Sequence, residues 1–148
     1  MKFRWMLFAA TLLMGCRSDV LFYDYQPVNT LGWEKTDTLR FDIPHTGNKI
    51  QNELFAGVRL NEFFPYRNIN LVVEQRSHQI RHRDTLSLHL MDEKGKWMTS
   101  GNILHELEER VEYGTLQEVD SLHILVYHIM PRQVLEGVVE VGIKVKRP

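Results

Sequence analysis

Alternation limits this chain more than any other feature: from residue 38 onward, apolar and polar side chains trade places every second residue in run after run. A period of two puts one set of side chains on each face of an extended strand, so it marks half-buried strands. Leu39, Phe41 and Ile43 alternate with Thr38, Arg40 and Asp42, and Pro44 with Gly47-Asn48 breaks the run. Leu54, Ala56, Val58 and Leu60 form the next run, and Ile69, Leu71 and Val73 follow after Pro65. Leu86, Leu88 and Leu90 alternate with Thr85, Ser87 and His89 before the turn residues Asp92-Glu93-Lys94-Gly95. Leu122, Ile124 and Val126 alternate while Leu125 and Tyr127 make their other face apolar too. Val139, Val141, Ile143 and Val145 close the chain against Glu140, Gly142 and Lys144.

Two segments read less clearly. Ile103, Leu107 and Val111 are spaced by four, with Asn102 to cap a helix and Gly114 to end it. The same residues fit a period of two with Tyr113, and the β character of both flanks favours a strand. A short helical turn is expected at Gln133 to Leu135. Many short strands with regular turns predict an all-β chain, a single antiparallel β-sandwich over residues 36–148 with no second domain.

The front of the chain is different. Lys2 and Arg4 precede a run from Trp5 to Met14 in which only Thr11 is not apolar. This is the layout of an export signal, and it is shorter than the roughly 20 apolar residues a membrane span needs. The run ends Leu13-Met14-Gly15-Cys16, which resembles the lipobox of bacterial lipoproteins. That resemblance implies a signal peptide over residues 1–15, cleavage before Cys16, and lipid on the Cys16 thiol that holds the protein to a membrane. Two or more acyl chains make such an anchor stable, at about 0.8 kcal/mol per buried methylene. The alternative is an ordinary cleaved signal with a chance cysteine, but Cys16 is the chain's single cysteine and falls where the signal ends. Residues 16–35 then read as a tether leading into the domain. Within it Leu21, Phe22, Tyr23 and Tyr25 are too apolar for a linker, so they pack on the domain edge or form a first short strand.

One cysteine allows no intramolecular disulfide, no Cys-x-x-Cys pair and no multi-cysteine zinc site. Losing Lys2 and Arg4 with the signal takes the formal net charge from −1 to −3. The basic cluster of Arg76, Arg81, His82 and Arg83 has no interleaved aromatics and reads as a solvated loop, so no nucleic-acid partner is expected. His78 and His82 are four apart, but Arg81 and Arg83 beside them oppose a cation. His105-Glu106 begins like a zinc-protease motif, yet Glu109 stands where the second histidine belongs. No nucleophile elbow or glycine-rich phosphate loop occurs, and no carboxylate pair stands out for glycoside hydrolysis. No catalytic residue, metal or cofactor is assigned.

Landmarks along the rest of the chain resemble the gliding-motility lipoprotein GldH family. Trp33 precedes the strand ending Phe41-Asp42-Ile43, and Phe64-Pro65-Tyr66-Arg67-Asn68-Ile69 is similar to the family's Tyr-Pro-Tyr-x-Asn-Leu element. Asp84-Thr85-Leu86 leads to Leu90-Met91-Asp92, and Gly95-Lys96-Trp97 with Gly101 looks like its Gly-x-Trp-x-Gly-x-Gly stretch. Met130, Arg132, Leu135, Gly137 and Val141-Gly142 follow in the family's order. Phe64 in place of a tyrosine, Pro131 between Met130 and Arg132, and Thr99-Ser100 depart from the pattern. The resemblance implies a non-catalytic lipoprotein of the cell envelope, in the outer membrane. Its partners would be other envelope proteins of the motility machinery and of the linked protein-secretion machinery.

The aromatic segment Phe63-Phe64-Pro65-Tyr66 has two readings. It is a turn whose rings plug the end of the core, or it is a contact patch in which Phe64, Tyr66, Arg67 and Trp97 meet a partner. A glycan-binding module is the alternative function, and it needs those rings exposed in a row. A hydrolase would need a pocket with convergent acids or a histidine beside a nucleophile.

Overall fold

The computed structural model describes residues 19–44, 52–78, 81–99, 101, 103–112 and 121–148. The signal segment with Cys16, the Gly47-Asn48 turn, Gln79, Ser100, Asn102, Tyr113 and Gly114 lie outside the described residues. Among the described residues there are ten strands and no helix. They are β1 (Val20–Pro27), β2 (Trp33–Glu34), β3 (Leu39–Pro44), β4 (Glu53–Leu60), β5 (Asn68–Arg76), β6 (Arg81–His89), β7 (His105–Arg110), β8 (Ser121–His128), β9 (Val134–Leu135) and β10 (Val138–Lys146). The ambiguous segment around Leu107 is therefore a strand, as its flanks indicate.

Two four-stranded antiparallel sheets form the sandwich, one in the order β1-β10-β4-β7 and the other β3-β8-β5-β6. Hydrogen bonds tie their rims. Gln26 Nε2 on β1 donates to the Arg40 carbonyl on β3, and the Glu112 N–H after β7 donates to Asp84 on β6. The sequence runs point inward: Leu54, Ala56, Val58 and Leu60 join Ile69, Leu71, Val73, Ile124 and Val126 in one buried core. Apolar surface removed from water in this way is the main source of stability in a domain of this kind, at roughly 25 cal/mol per Å².

Three expectations change. The basic cluster read as a loop lies in strands, with Arg76 ending β5 and Arg81, His82 and Arg83 opening β6. The last run starts inward at Val138 rather than Val139, because a bulge between Val138 and Glu140 inserts a residue and reverses the faces. Gln133 to Leu135 is no helical turn. Val134–Leu135 is a strand that pairs with β2, setting Trp33 opposite Leu135. Both side chains are fully buried, so a helical turn would pull Leu135 out of its core position. The Trp33 indole donates to the Asp37 carbonyl at 3.0 Å, and its ring meets the edge of His128 with centroids 5.1 Å apart. His128 Nε2 in turn bonds the Trp33 carbonyl at 3.1 Å.

Candidate partner-binding surface

The strand orders fix where the loops go. Pro27, Val138, Leu60 and His105 lie at one end of the first sheet, and Leu39, His128, Asn68 and His89 at the matching end of the second. Four arches cross between the sheets there, over residues 28–38, 61–67, 90–104 and 129–137. Val20 and Lys146 lie at the opposite end, where the Arg147 N–H bonds the Asp19 carbonyl at 2.8 Å. Asp19, the first described residue, thus lies at the end opposite the arches, and the N-terminal segment joins the domain there.

The arches carry unusual surface. Among the described residues, nine large hydrophobic side chains are exposed, and seven of them sit here: Leu31, Phe63, Met98, Ile103, Leu104, Ile129 and Val134. Leu31 and Ile103 are each 81% exposed and Phe63 is 70% exposed. Single exposed apolar residues are ordinary, and a set gathered on one end makes that end the candidate contact surface.

Local chemistry decides which rings face out. In the second arch the Asn61 side-chain oxygen accepts the Phe63 N–H at 3.0 Å, and its carbonyl accepts the Phe64 N–H at 3.2 Å. This Asx turn sends the Phe63 ring outward and the Phe64 ring inward. Phe64 is 3% exposed and meets Tyr66 edge to face at 5.9 Å. Gly137, at φ +81°, lies against the Phe64 backbone; a Cβ there would collide with it.

The third arch is ordered from Arg67. The Arg67 carbonyl accepts the Leu90 N–H at 2.8 Å, and its guanidinium reaches the Glu93 carbonyl at 3.4 Å. Asp92 closes the turn below by accepting the Lys94 and Lys96 N–H groups at 2.9 and 2.8 Å. Trp97, bridged to Met91, stacks flat on His105 with ring centroids 3.8 Å apart, and His105 Nδ1 meets the Thr99 hydroxyl at 3.0 Å.

Of the residues singled out from sequence, Tyr66, Arg67 and Trp97 are therefore brought to adjoining arches, and Phe64 is not on the surface at all. Its ring plugs the core because the Asx turn leaves it no other direction. Tyr66 and Trp97 are half-buried against the core, so the exposed aromatic row that glycan binding requires is not made by these rings. Sequence reasoning missed Leu31, Met98, Ile103, Leu104, Ile129 and Val134. Their only signal is an apolar side chain beside a turn or outside the alternating runs. Among the described residues, no group of three or more His, Cys, Asp or Glu side chains gathers to hold a metal ion.

A family model described as GldH lipoprotein matches residues 20–145, from the first residue of β1 to the penultimate residue of β10. Gliding motility lipoprotein GldH of Flavobacterium johnsoniae is 29% identical over 97 residues, which are 65% of this chain and 60% of that protein. The chain thus spans about three-fifths of the length of the curated relative it matches. No solved structure matches. Because the family model runs through both sheets and all four arches, the chain belongs to the GldH lipoprotein family.

Proposed function

We propose that this protein is an outer-membrane lipoprotein component of the gliding-motility and associated protein-secretion apparatus, anchored by lipid on Cys16 and acting through protein contacts rather than catalysis. The contacts are made by the arches. The observation that carries this reading is polarity of the domain: the N-terminal segment leaves from one end, and seven exposed apolar side chains crown the other. Membership of the GldH lipoprotein family and similarity to a protein named for gliding motility supply the process. An anchor also concentrates weak contacts, because a partner in the same membrane meets the tethered domain at high effective concentration.

Deleting the gene tests this reading, with colony spreading and the amount of secreted protein as outputs. Three rescues are compared: wild type, Cys16→Ala, and a Phe63→Ser/Ile103→Ser double variant. Loss of both outputs, rescued by wild type alone, fits an anchored protein that works through its arches. Unchanged outputs after deletion overturn the reading, and full rescue by the double variant moves the contact elsewhere.

A further inference from the structure

The outer face of the first sheet is stitched from rim to rim by side chains centred on Tyr25. Register aligns Tyr25 of β1 with Gly142 of β10, Gly57 of β4 and Glu108 of β7 in one row. The two glycines leave a groove, and the Tyr25 ring lies in it. A Cβ on Gly142 would run into the ring, and a Cβ on Gly57 into its hydroxyl. Across the groove the Tyr25 hydroxyl donates to Glu108 Oε1 at 3.2 Å. Burial first, and then the charge of Glu106, push the pKa of this hydroxyl well above its ordinary value, so it remains a donor.

Arg59 of β4 covers the ring, with its guanidinium carbon 4.2 Å from the ring centre. It donates to Tyr23 on β1 at 2.7 Å, to Glu140 on β10 at 2.6 Å and to Glu106 on β7 at 3.0 Å. Lys144 of β10 pairs with Glu108 of β7. Two side chains, Tyr25 and Arg59, therefore connect all four strands.

β1 is also the strand next to the N-terminal segment. It runs from the end where that segment leaves to the arched end, over roughly 23 Å at 3.3 Å per residue. Tension between the segment and the arches runs along the strand, perpendicular to its inter-strand hydrogen bonds. All seven registered pairs of β1 with β10 must then yield together. Tension between the two termini acts differently. Both leave from the same end, so pulling them apart opens the pairs one after another.

We propose that β1, locked across the sheet by Tyr25 in the Gly142–Gly57 groove, is a mechanical clamp that transmits tension between the N-terminal tether and the arches as shear. This deepens the function proposed above, since it takes the tether as anchored and the arches as held by a partner. Its test, however, needs neither membrane nor partner.

The test is optical-tweezers unfolding of the full mature chain without lipid, using the Cys16 thiol as one handle. The second handle is either Phe63→Cys on the arch or a cysteine appended after Pro148. Rupture through the arch is expected at a force at least about twice that through the C-terminus, because the ladder breaks together rather than in sequence. Tyr25→Ala is expected to lower the arch-handle force while leaving the first rupture through the C-terminus unchanged. Tyr25→Phe, which keeps the ring in the groove and loses the hydroxyl's bonds to Glu108 and Glu106, falls between them and serves if the alanine variant does not fold. Equal forces in the two geometries overturn the clamp, as does an arch-handle force insensitive to both variants. Either result leaves the deletion experiment to decide the motility reading by itself.

Discussion

On the outer face of the β1-β10-β4-β7 sheet, polar groups are packed over one another. Arg59 and Glu140 keep 25% and 28% of their side-chain surface, and the Tyr25 ring is laid over two glycines. On the outer face of the β3-β8-β5-β6 sheet, comparable chemistry between β3 and β8 stands in water. Asp42 accepts from Arg40 Nε at 2.9 Å and from His123 Nδ1 at 2.5 Å, with more than half of the Asp42 and Arg40 side chains exposed. Arg40 first and His123 second hold the Asp42 carboxyl below its ordinary pKa. The two faces thus carry similar inventories of donors and acceptors. Each has a tyrosine beside an arginine, Tyr25 under Arg59 and Tyr127 near Arg83, but the Tyr25 ring lies in a groove of two glycines, whereas the strands of the second sheet carry no glycine. Exposed ion pairs are screened and contribute little, whereas a ring that covers backbone also buries apolar area and fixes its neighbours.

The sharpest way to break this comparison is to remove each face's tyrosine. Tyr25→Ala is expected to cost about 2–3 kcal/mol in urea unfolding, from lost burial and the lost cation–π contact. Tyr127→Ala, on the other face, should cost clearly less, although Tyr127 bonds Glu74 at 2.9 Å. Equal losses would mean that the groove adds nothing. Next in size is Gly142→Ala, expected at about 1–3 kcal/mol because the new methyl must displace the ring. In a double-mutant cycle with Tyr25→Ala the two losses should fall well short of additive, since one ring accounts for both.

A smaller effect lies between the faces. Burial first holds the pKa of His128 below its ordinary value; its Nε2 bonds the Trp33 carbonyl, while its buried Nδ1 has no hydrogen-bond partner. The folded chain therefore binds this proton less readily than the unfolded chain. The stabilising contribution is complete above the unfolded histidine pKa and is lost as pH falls through the lower folded value. Stability should decline on acidification below about pH 6.5, and His128→Gln should flatten that slope. The smallest effect belongs to Asp42→Asn, for which a melting temperature indistinguishable from wild type at neutral pH is expected. A large drop there would show that the exposed face is not the passive one.

Strand by strand, the alternating runs were legible because burial on one face leaves a period of two in the sequence. The misplaced residues are those where geometry departs from that period. Val138 and Val139 are both apolar, and only the bulge decides which faces in. Val134 and Leu135 sit in too short a run to show any period, and they become a strand because Trp33 waits across the core. The candidate surface was harder to read. An exposed leucine such as Leu31 has the same letter as a core leucine, and Phe63 and Phe64 are distinguished only by the Asn61 turn. The groove did leave a mark. Gly57 and Gly142 are lone glycines inside strands, a pattern that signals close approach by something else. Which residue approaches could not be read without the register that places Tyr25 beside them.

The hydrogen bond between Arg147 and Asp19 has a practical consequence for anyone who labels this protein. A fluorescent fusion after Pro148 would emerge beside the N-terminal segment and stay clear of the arches. It should therefore report position without blocking a contact. An epitope inserted beside Leu31, on an exposed turn of the first arch, would instead stand at the far tip, where antibody access becomes a direct readout of whether that tip is occupied.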